Sequence, residues 1–228
     1  MSAANNLQIV RQRIEEAALR AGRKAEEITL LPVSKKQPVK KIQEMIELGL
    51  HEFAENYAQE LMEKQQKLPA VKWHFIGRLQ RKKAKDLVGL VETIQSVDRV
   101  ELVDSIDRIA RQKQVTQKIL VQVNIGDEKS KAGVAVSELE ALLVNVLEKE
   151  NLLLKGLMCL PPLTESERQA RGYFSTCRQL FERLQSLAST LANKPEGLSM
   201  GTTSDFVWAI EEGATMVRVG TALFGERK

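Results

Sequence analysis

Aromatic side chains make up only 4% of the 228 residues, and cysteine and histidine occur twice each, as Cys159, Cys177, His51 and His74. So few rings require a core built mainly from aliphatic side chains. Two cysteines exclude a disulfide framework, and no Cys/His spacing matches a metal site, so the expected setting is a reducing cytoplasm. No stretch reaches the roughly 20 consecutive apolar residues that span a bilayer. The N-terminal stretch 1–27 is charged and helical in pattern, unlike a signal peptide. No Gly-x-Gly-x-x-Gly follows the first apolar strand, which argues against dinucleotide binding there. No linker-like composition interrupts the chain, so a single domain over residues 1–228 is expected.

What is present is charge, 34 basic against 30 acidic residues for a net +4. The densest basic run is 78–85, with Arg78, Arg81, Lys82, Lys83 and Lys85. Polyanions bind such runs, but no aromatics are interleaved and no nucleic-acid fold signature accompanies it. A solvated helix start is the expectation, with no nucleic-acid and no membrane partner.

Periodicity alternates along the chain. Leu7, Val10, Ile14, Ala17, Ala18 and Ala21 fall at helical spacing over 5–21, and Gly22 stops that helix. Apolar strand runs follow at 29–34, 52–55, 71–76, 93–96, 118–124, 152–159, 197–200 and 215–219. Between them the pattern predicts helices over 38–48, 57–66, 81–88, 98–113, 137–150, 165–191 and 205–211. Eight near-continuous apolar strands alternating with helices predict an α/β fold, a single-domain (β/α)8 TIM barrel with an extra N-terminal helix. An open doubly wound sheet is the alternative.

Barrels of this kind work at the C-terminal ends of their strands. The first strand ends in Ser34-Lys35, where an amine held in a sheltered mouth is poised to attack carbonyls. The seventh ends in Ser199, Gly201, Thr202 and Thr203, and the eighth in Arg218, Gly220 and Thr221. Glycines and hydroxyls after strands seven and eight, with a helix start after the seventh, suit a phosphate, although ordinary N-capping uses the same residues. Joined at one mouth, lysine and phosphate cradle suit a ligand with an aldehyde at one end and a phosphate at the other. Pyridoxal 5′-phosphate is such a molecule. Arg218 facing its ring nitrogen would disfavour a protonated ring and weaken the electron sink.

The blocks Val33-Ser34-Lys35, Phe53-Ala54-Glu55-Asn56-Tyr57, His74-Phe75-Ile76-Gly77, Gln122-Val123-Asn124, Leu198-Ser199-Met200-Gly201 and Val217-Arg218-Val219-Gly220-Thr221 occur in order. With them the chain resembles the pyridoxal 5′-phosphate homeostasis protein family, also known as proline synthase co-transcribed homologues. The resemblance implies a barrel of the alanine racemase N-terminal type. It implies the cofactor held on Lys35 as an aldimine, Asn56 near its ring, Ser199, Gly201, Gly220 and Thr221 on its phosphate, and Arg218 by its ring nitrogen. It further implies a part in vitamin B6 and amino-acid homeostasis without evident turnover, with cofactor-requiring apoenzymes and free amino acids as partners. Ala54, Arg78, Lys82 and the Thr202-Thr203 pair depart from the family pattern; the Thr202-Thr203 pair keeps a hydroxyl at the helix start.

An amino-acid racemase is the alternative. It needs an acid–base group on each face of the substrate α-carbon. Of the two tyrosines, Tyr57 and Tyr173, Tyr57 is expected in the barrel wall. His51 is expected in an exposed turn and His74 as a satisfied core group. A Schiff-base aldolase would use Lys35 without the cofactor. Because no second, dimer-forming domain follows the barrel, a monomer is expected.

Overall fold

The computed structural model describes residues 2–128, 132–189 and 194–226. Eight strands, β1 (Thr29–Pro32), β2 (Glu52–Glu55), β3 (Lys72–Phe75), β4 (Thr93–Val97), β5 (Gln117–Val123), β6 (Leu152–Cys159), β7 (Gly197–Ser199) and β8 (Met216–Val219), pair in parallel. Their order is β1-β8-β7-β6-β5-β4-β3-β2. The ring is completed between β1 and β2 by one bridge, Val33 with Ala54, and by the Ser34 N–H donating to the Ala54 carbonyl at 3.0 Å. The result is the expected (β/α)8 barrel, not an open sheet.

Helices cover the outside: α1 (Ala3–Arg20) before the barrel, then α2 (Val39–Glu47), α3 (Ala58–Lys67), α4 (Ala84–Leu87), α5 (Val100–Lys113), α6 (Leu139–Leu147), α7 (Glu167–Leu187), α8 (Phe206–Glu211) and α9 (Thr221–Phe224). The Ser2 hydroxyl caps α1, whose buried stripe of Leu7, Val10, Ile14, Ala17 and Ala18 packs on α8 and α9. The Arg13 guanidinium lies 4.6 Å from the centre of the Phe206 ring. The helix predicted over 81–88 divides into a 3-10 turn, Arg81–Lys83, and the short α4, whose Ala84 and Leu87 are buried while Arg81, Lys82 and Lys83 face solvent. The predicted helix 165–191 ends at Leu187, and residues 190 and 191 lie outside the described residues.

Alternation of side chains along each strand sets what the barrel holds. Outward residues such as Ile94, Val121, Leu157 and Leu198 join one aliphatic core with the helices. Leu31, Val33 and Ala54 form a separate cluster inside, with Ile76 and Met216 against it. The same alternation continues from Leu31 and Val33 to Lys35, and from Glu52 and Ala54 to Asn56. Polar residues are buried in the barrel as well, namely His74, Gln95, Gln122, Ser199 and Arg218.

Candidate functional site

A cavity of about 450 Å³ opens where the strands end, with Lys35 and Asn56 on one side and Arg218, Gly220 and Thr221 on another. Thr202, Thr203 and Ser204 line a third stretch, and Gln122, Met158 and Leu160 complete the wall. The cavity thus joins six of the predicted residues. Ser199 and Gly201 do not line it. Ser199 is fully buried below Arg218, accepting from its NH1 at 2.7 Å and donating to the Gln95 Oε1 at 2.8 Å. Gly201 shapes the wall from behind. Its φ is +90°, and a Cβ there would stand 2.6 Å from the Ala209 Cβ and 2.9 Å from the Phe206 Cα.

Lys35 sits in a turn whose neighbours are fixed on both sides. Before it, the Ser34 carbonyl accepts from Lys64 Nζ at 2.7 Å, and the Ser34 hydroxyl donates to Glu55 Oε1 at 2.7 Å. After it, the Lys36 N–H donates to Glu60 Oε1 at 2.6 Å, and Lys36 takes a left-handed φ of 60°. Lys64 Nζ also reaches Glu55 Oε1 and Glu60 Oε1, each at 2.7 Å. Two carboxylates and one buried ammonium therefore staple β2 and α3 to the turn that carries Lys35. Burial pushes the Glu55 carboxyl above the usual range, against the pull of Lys64 and the Ser34 hydroxyl. This group of residues gave no signal in the sequence, because Glu55 and Lys64 lie on different elements and share no periodic pattern.

Arg218 is 4% exposed. Its NH2 donates to the Cys159 carbonyl at 2.8 Å, and its backbone N–H to the Gly201 carbonyl at 3.0 Å. Burial lowers its basicity from the ordinary arginine value. On the anion side, Thr202 is already engaged, its N–H and hydroxyl both donating to Asp205 Oδ1 at 2.6 and 2.9 Å. The backbone N–H groups of Thr203, Ser204, Thr221 and Ala222 have no hydrogen-bond partner among the described residues. Because α8 and α9 are short, these N–H groups and not a helix dipole are what the site could offer an anion. Ser204 was not among the predicted residues, although its hydroxyl adjoins Thr203 in the sequence. The α9 helix was not predicted either; its four residues read as a glycine-flanked tail.

Asn56 brings a second unmet need. Its Oδ1 is buried without a partner, and its carbonyl approaches so near that a Cβ on Gly77 would lie 1.9 Å away. A buried orphan acceptor, unclaimed N–H donors and an amine around one cavity fit a flat ligand that carries an anion at one end and an electrophile at the other.

Tyr57 corrects an expectation. It is 52% exposed at the N-cap of α3, outside the barrel wall, because β2 ends at Glu55 and the chain turns outward after Asn56. His51 is exposed, as expected, and His74 is buried and hydrogen-bonded inside β3. A larger cavity, about 640 Å³, lies beside α2 and the loops leading into β2 and β3, lined by Lys40, Glu44 and His51 among others. It holds none of the predicted residues. Among the described residues there is no group of histidine, cysteine or acidic side chains placed to hold a metal, and no helix long and apolar enough to cross a membrane.

Comparison with known proteins gives a consistent pattern. The family described as alanine racemase, N-terminal domain, matches residues 2–228. The pyridoxal phosphate homeostasis protein of Aquifex aeolicus is 42% identical over 230 residues, covering 100% of both chains. That of Escherichia coli K12 is 38% identical, covering 98% of this chain and 96% of its own. Among solved structures, PipY of Synechococcus elongatus with pyridoxal phosphate bound superposes with a TM-score of 0.81 at 34% identity, covering 95% of this chain and 100% of that one. An alanine racemase of Clostridium difficile shares the fold at a TM-score of 0.74 and 15% identity, and the match covers 57% of its chain.

Proposed function

Because the chain belongs to the pyridoxal phosphate homeostasis protein family, on the alanine racemase N-terminal barrel, we propose that it binds pyridoxal 5′-phosphate reversibly and takes part in vitamin B6 and amino-acid homeostasis without turnover of its own. The observation that carries this reading is the single cavity with the Lys35 amine on one wall and unclaimed N–H donors on another. The cofactor would supply an aldehyde for a reversible carbon–nitrogen bond and a phosphate for the grip.

The chain's own residues divide that work. Lys35 provides the amine, in a turn held by Lys64, Glu55 and Glu60. Thr203, Ser204, Thr221 and Ala222 supply backbone donors for a phosphate, with the hydroxyls of Thr203 and Thr221 beside them and Gly201 and Gly220 keeping the backbone close. Asn56 Oδ1, buried without a partner, would accept a hydrogen bond from the ligand. Arg218, a buried cation, would disfavour a protonated ring nitrogen placed beside it and so restrain carbanion chemistry. Cofactor-requiring apoenzymes and free amino acids are the partners this chemistry serves.

Racemisation would need a second acid–base group on the opposite face of the substrate α-carbon. Among the described residues, neither tyrosine and neither histidine lines the cavity. The test is the visible spectrum of the purified protein. The wild type should carry a visible absorption band that Lys35→Ala removes. A colourless protein that takes up no added pyridoxal phosphate would sink the proposal. Exchange of the α-proton of alanine in deuterated water, lost in Lys35→Ala, would favour the racemase.

A further inference from the structure

The inside of the barrel holds an uninterrupted hydrogen-bond chain that the site does not by itself require. Arg218 NH1 donates to Ser199 Oγ at 2.7 Å, and Ser199 Oγ donates to Gln95 Oε1 at 2.8 Å. Gln95 Nε2 is 3.2 Å from His74 Nδ1, and His74 Nε2 is 3.2 Å from Glu52 Oε2. Gln95 and Ser199 are fully buried, and His74 is 4% exposed. Glu52 begins β2, at the end of the barrel opposite the cavity, and its side chain is 35% exposed.

The direction of this chain is forced at both ends. Arginine only donates, so the Ser199 proton must point to Gln95. The Gln95 amide is fixed by a third neighbour: its Nε2 lies 3.2 Å from Met216 Sδ, an acceptor only. The amide nitrogen therefore faces His74, whose Nδ1 must accept, which leaves the ring proton on Nε2 to be donated to Glu52. The carboxylate receives it as an acceptor; the His74 hydrogen bond holds Glu52 down at about 2. Every donor points away from the cavity, so each link turns its electron-rich side toward Arg218, and a carboxylate closes the far end.

We propose that Glu52, His74, Gln95 and Ser199 are positioning residues that hold Arg218 charged and aimed at the cavity, so that the far end of the barrel sets the electrostatics at its mouth. Ser199 then serves Arg218 and does not contact the phosphate. A buried guanidinium without such a line would face the full cost of desolvation. With NH1 tied to Ser199 and NH2 to the Cys159 carbonyl, the fork has one orientation, and its remaining N–H groups are left for a ligand. For a bound pyridoxal phosphate, this inference rests on the reading above; for the empty barrel, it stands alone.

The test uses Glu52→Leu, His74→Leu and Gln95→Leu, with Glu92→Gln as control, a change at another strand-start carboxylate whose ion pair with Lys118 is outside the chain. Affinity for pyridoxal phosphate and the pH dependence of its visible band are measured by titration, and the thermal midpoint by calorimetry. Glu52→Leu should weaken binding about tenfold, the scale of one charged hydrogen bond, and move the pH at which the band changes, while the control leaves both unchanged. Nitrogen-15 shifts of the His74 ring in cofactor-free wild type should show a protonated Nε2 and an unprotonated Nδ1. A lower midpoint with unaltered affinity and spectrum in Glu52→Leu and Gln95→Leu would make the chain merely structural and overturn the inference. A proton on Nδ1 would overturn it too. Should the leucine variants fail to fold, Glu52→Gln and Gln95→Glu give the same readouts. If the wild type takes up no pyridoxal phosphate, the functional reading fails, and the His74 tautomer still decides the chain.

Discussion

Replacing Lys64 by methionine tests the staple around Lys35 most directly. Lys64 is 5% exposed, and its ammonium serves Ser34 O, Glu55 Oε1 and Glu60 Oε1, each at 2.7 Å. Methionine fills much of the same volume, so packing changes little. What changes is Glu55, fully buried, with its Oε2 already lacking a partner. Removing one member of a buried pair costs about 3–5 kcal/mol. At neutral pH the variant should therefore lose stability on that scale in a urea titration, with an unchanged slope. The sign with pH is fixed. The Glu55 carboxyl is held above its unfolded value by burial, and removing Lys64 raises it further. A raised carboxylate favours the fold below the unfolded value near 4.5 and forfeits that advantage as pH climbs through the folded value. The deficit of Lys64→Met should accordingly shrink as pH is lowered from 7.5 toward 5. A second substitution, Glu55→Leu, should return part of the stability by removing the stranded charge. A loss under about 1 kcal/mol, or one constant from pH 5 to 7.5, would refute the account of a buried charge held by its partner.

Gly201→Ala should destabilise by about 2–4 kcal/mol, since it adds backbone strain at φ +90° to overlap with Ala209 and Phe206; thermal unfolding reads the first and phosphate-dependent binding the displaced loop. Asn56→Leu should leave stability within about 1 kcal/mol, because its Oδ1 has no partner to lose, yet weaken pyridoxal phosphate binding by about tenfold or more in a spectral titration. Glu52 is depressed to about 2, so it stabilises the fold above its unfolded value, and that contribution fades as pH falls from about 4.5 toward 2. Glu52→Gln should flatten acid unfolding in that window, and identical acid titrations of both proteins would contradict it.

The architecture was legible because both faces of each barrel strand are buried. Runs such as 118–124 and 152–159 are then mostly apolar, and Pro161-Pro162 breaks the second. Lys35 was legible as a strand-end residue because the alternation of Leu31 and Val33 carries it inward. Other features follow from encounters that no local pattern records. Thr202 looked like the anion ligand of its turn until Asp205, three residues on, was seen to occupy it. Ser199 looked equally exposed to the mouth, but β7 ends so early that the hydroxyl stays beneath Arg218. Tyr57 was misplaced although β2 ends at Glu55 as expected, because the chain turns outward after Asn56 and puts the ring at the N-cap of α3. The Glu55–Lys64 pair and the Arg218-to-Glu52 line bring together residues from separate strands and helices, where sequence separation conceals proximity.

The seam between β1 and β2 carries one further meaning. Between β1 and β2 a single backbone bridge is reinforced by a knot of side chains, Ser34, Glu55 and Lys64. Lys35 is threaded through that knot. A ligand held on Lys35 would therefore bear directly on the joint that closes the ring.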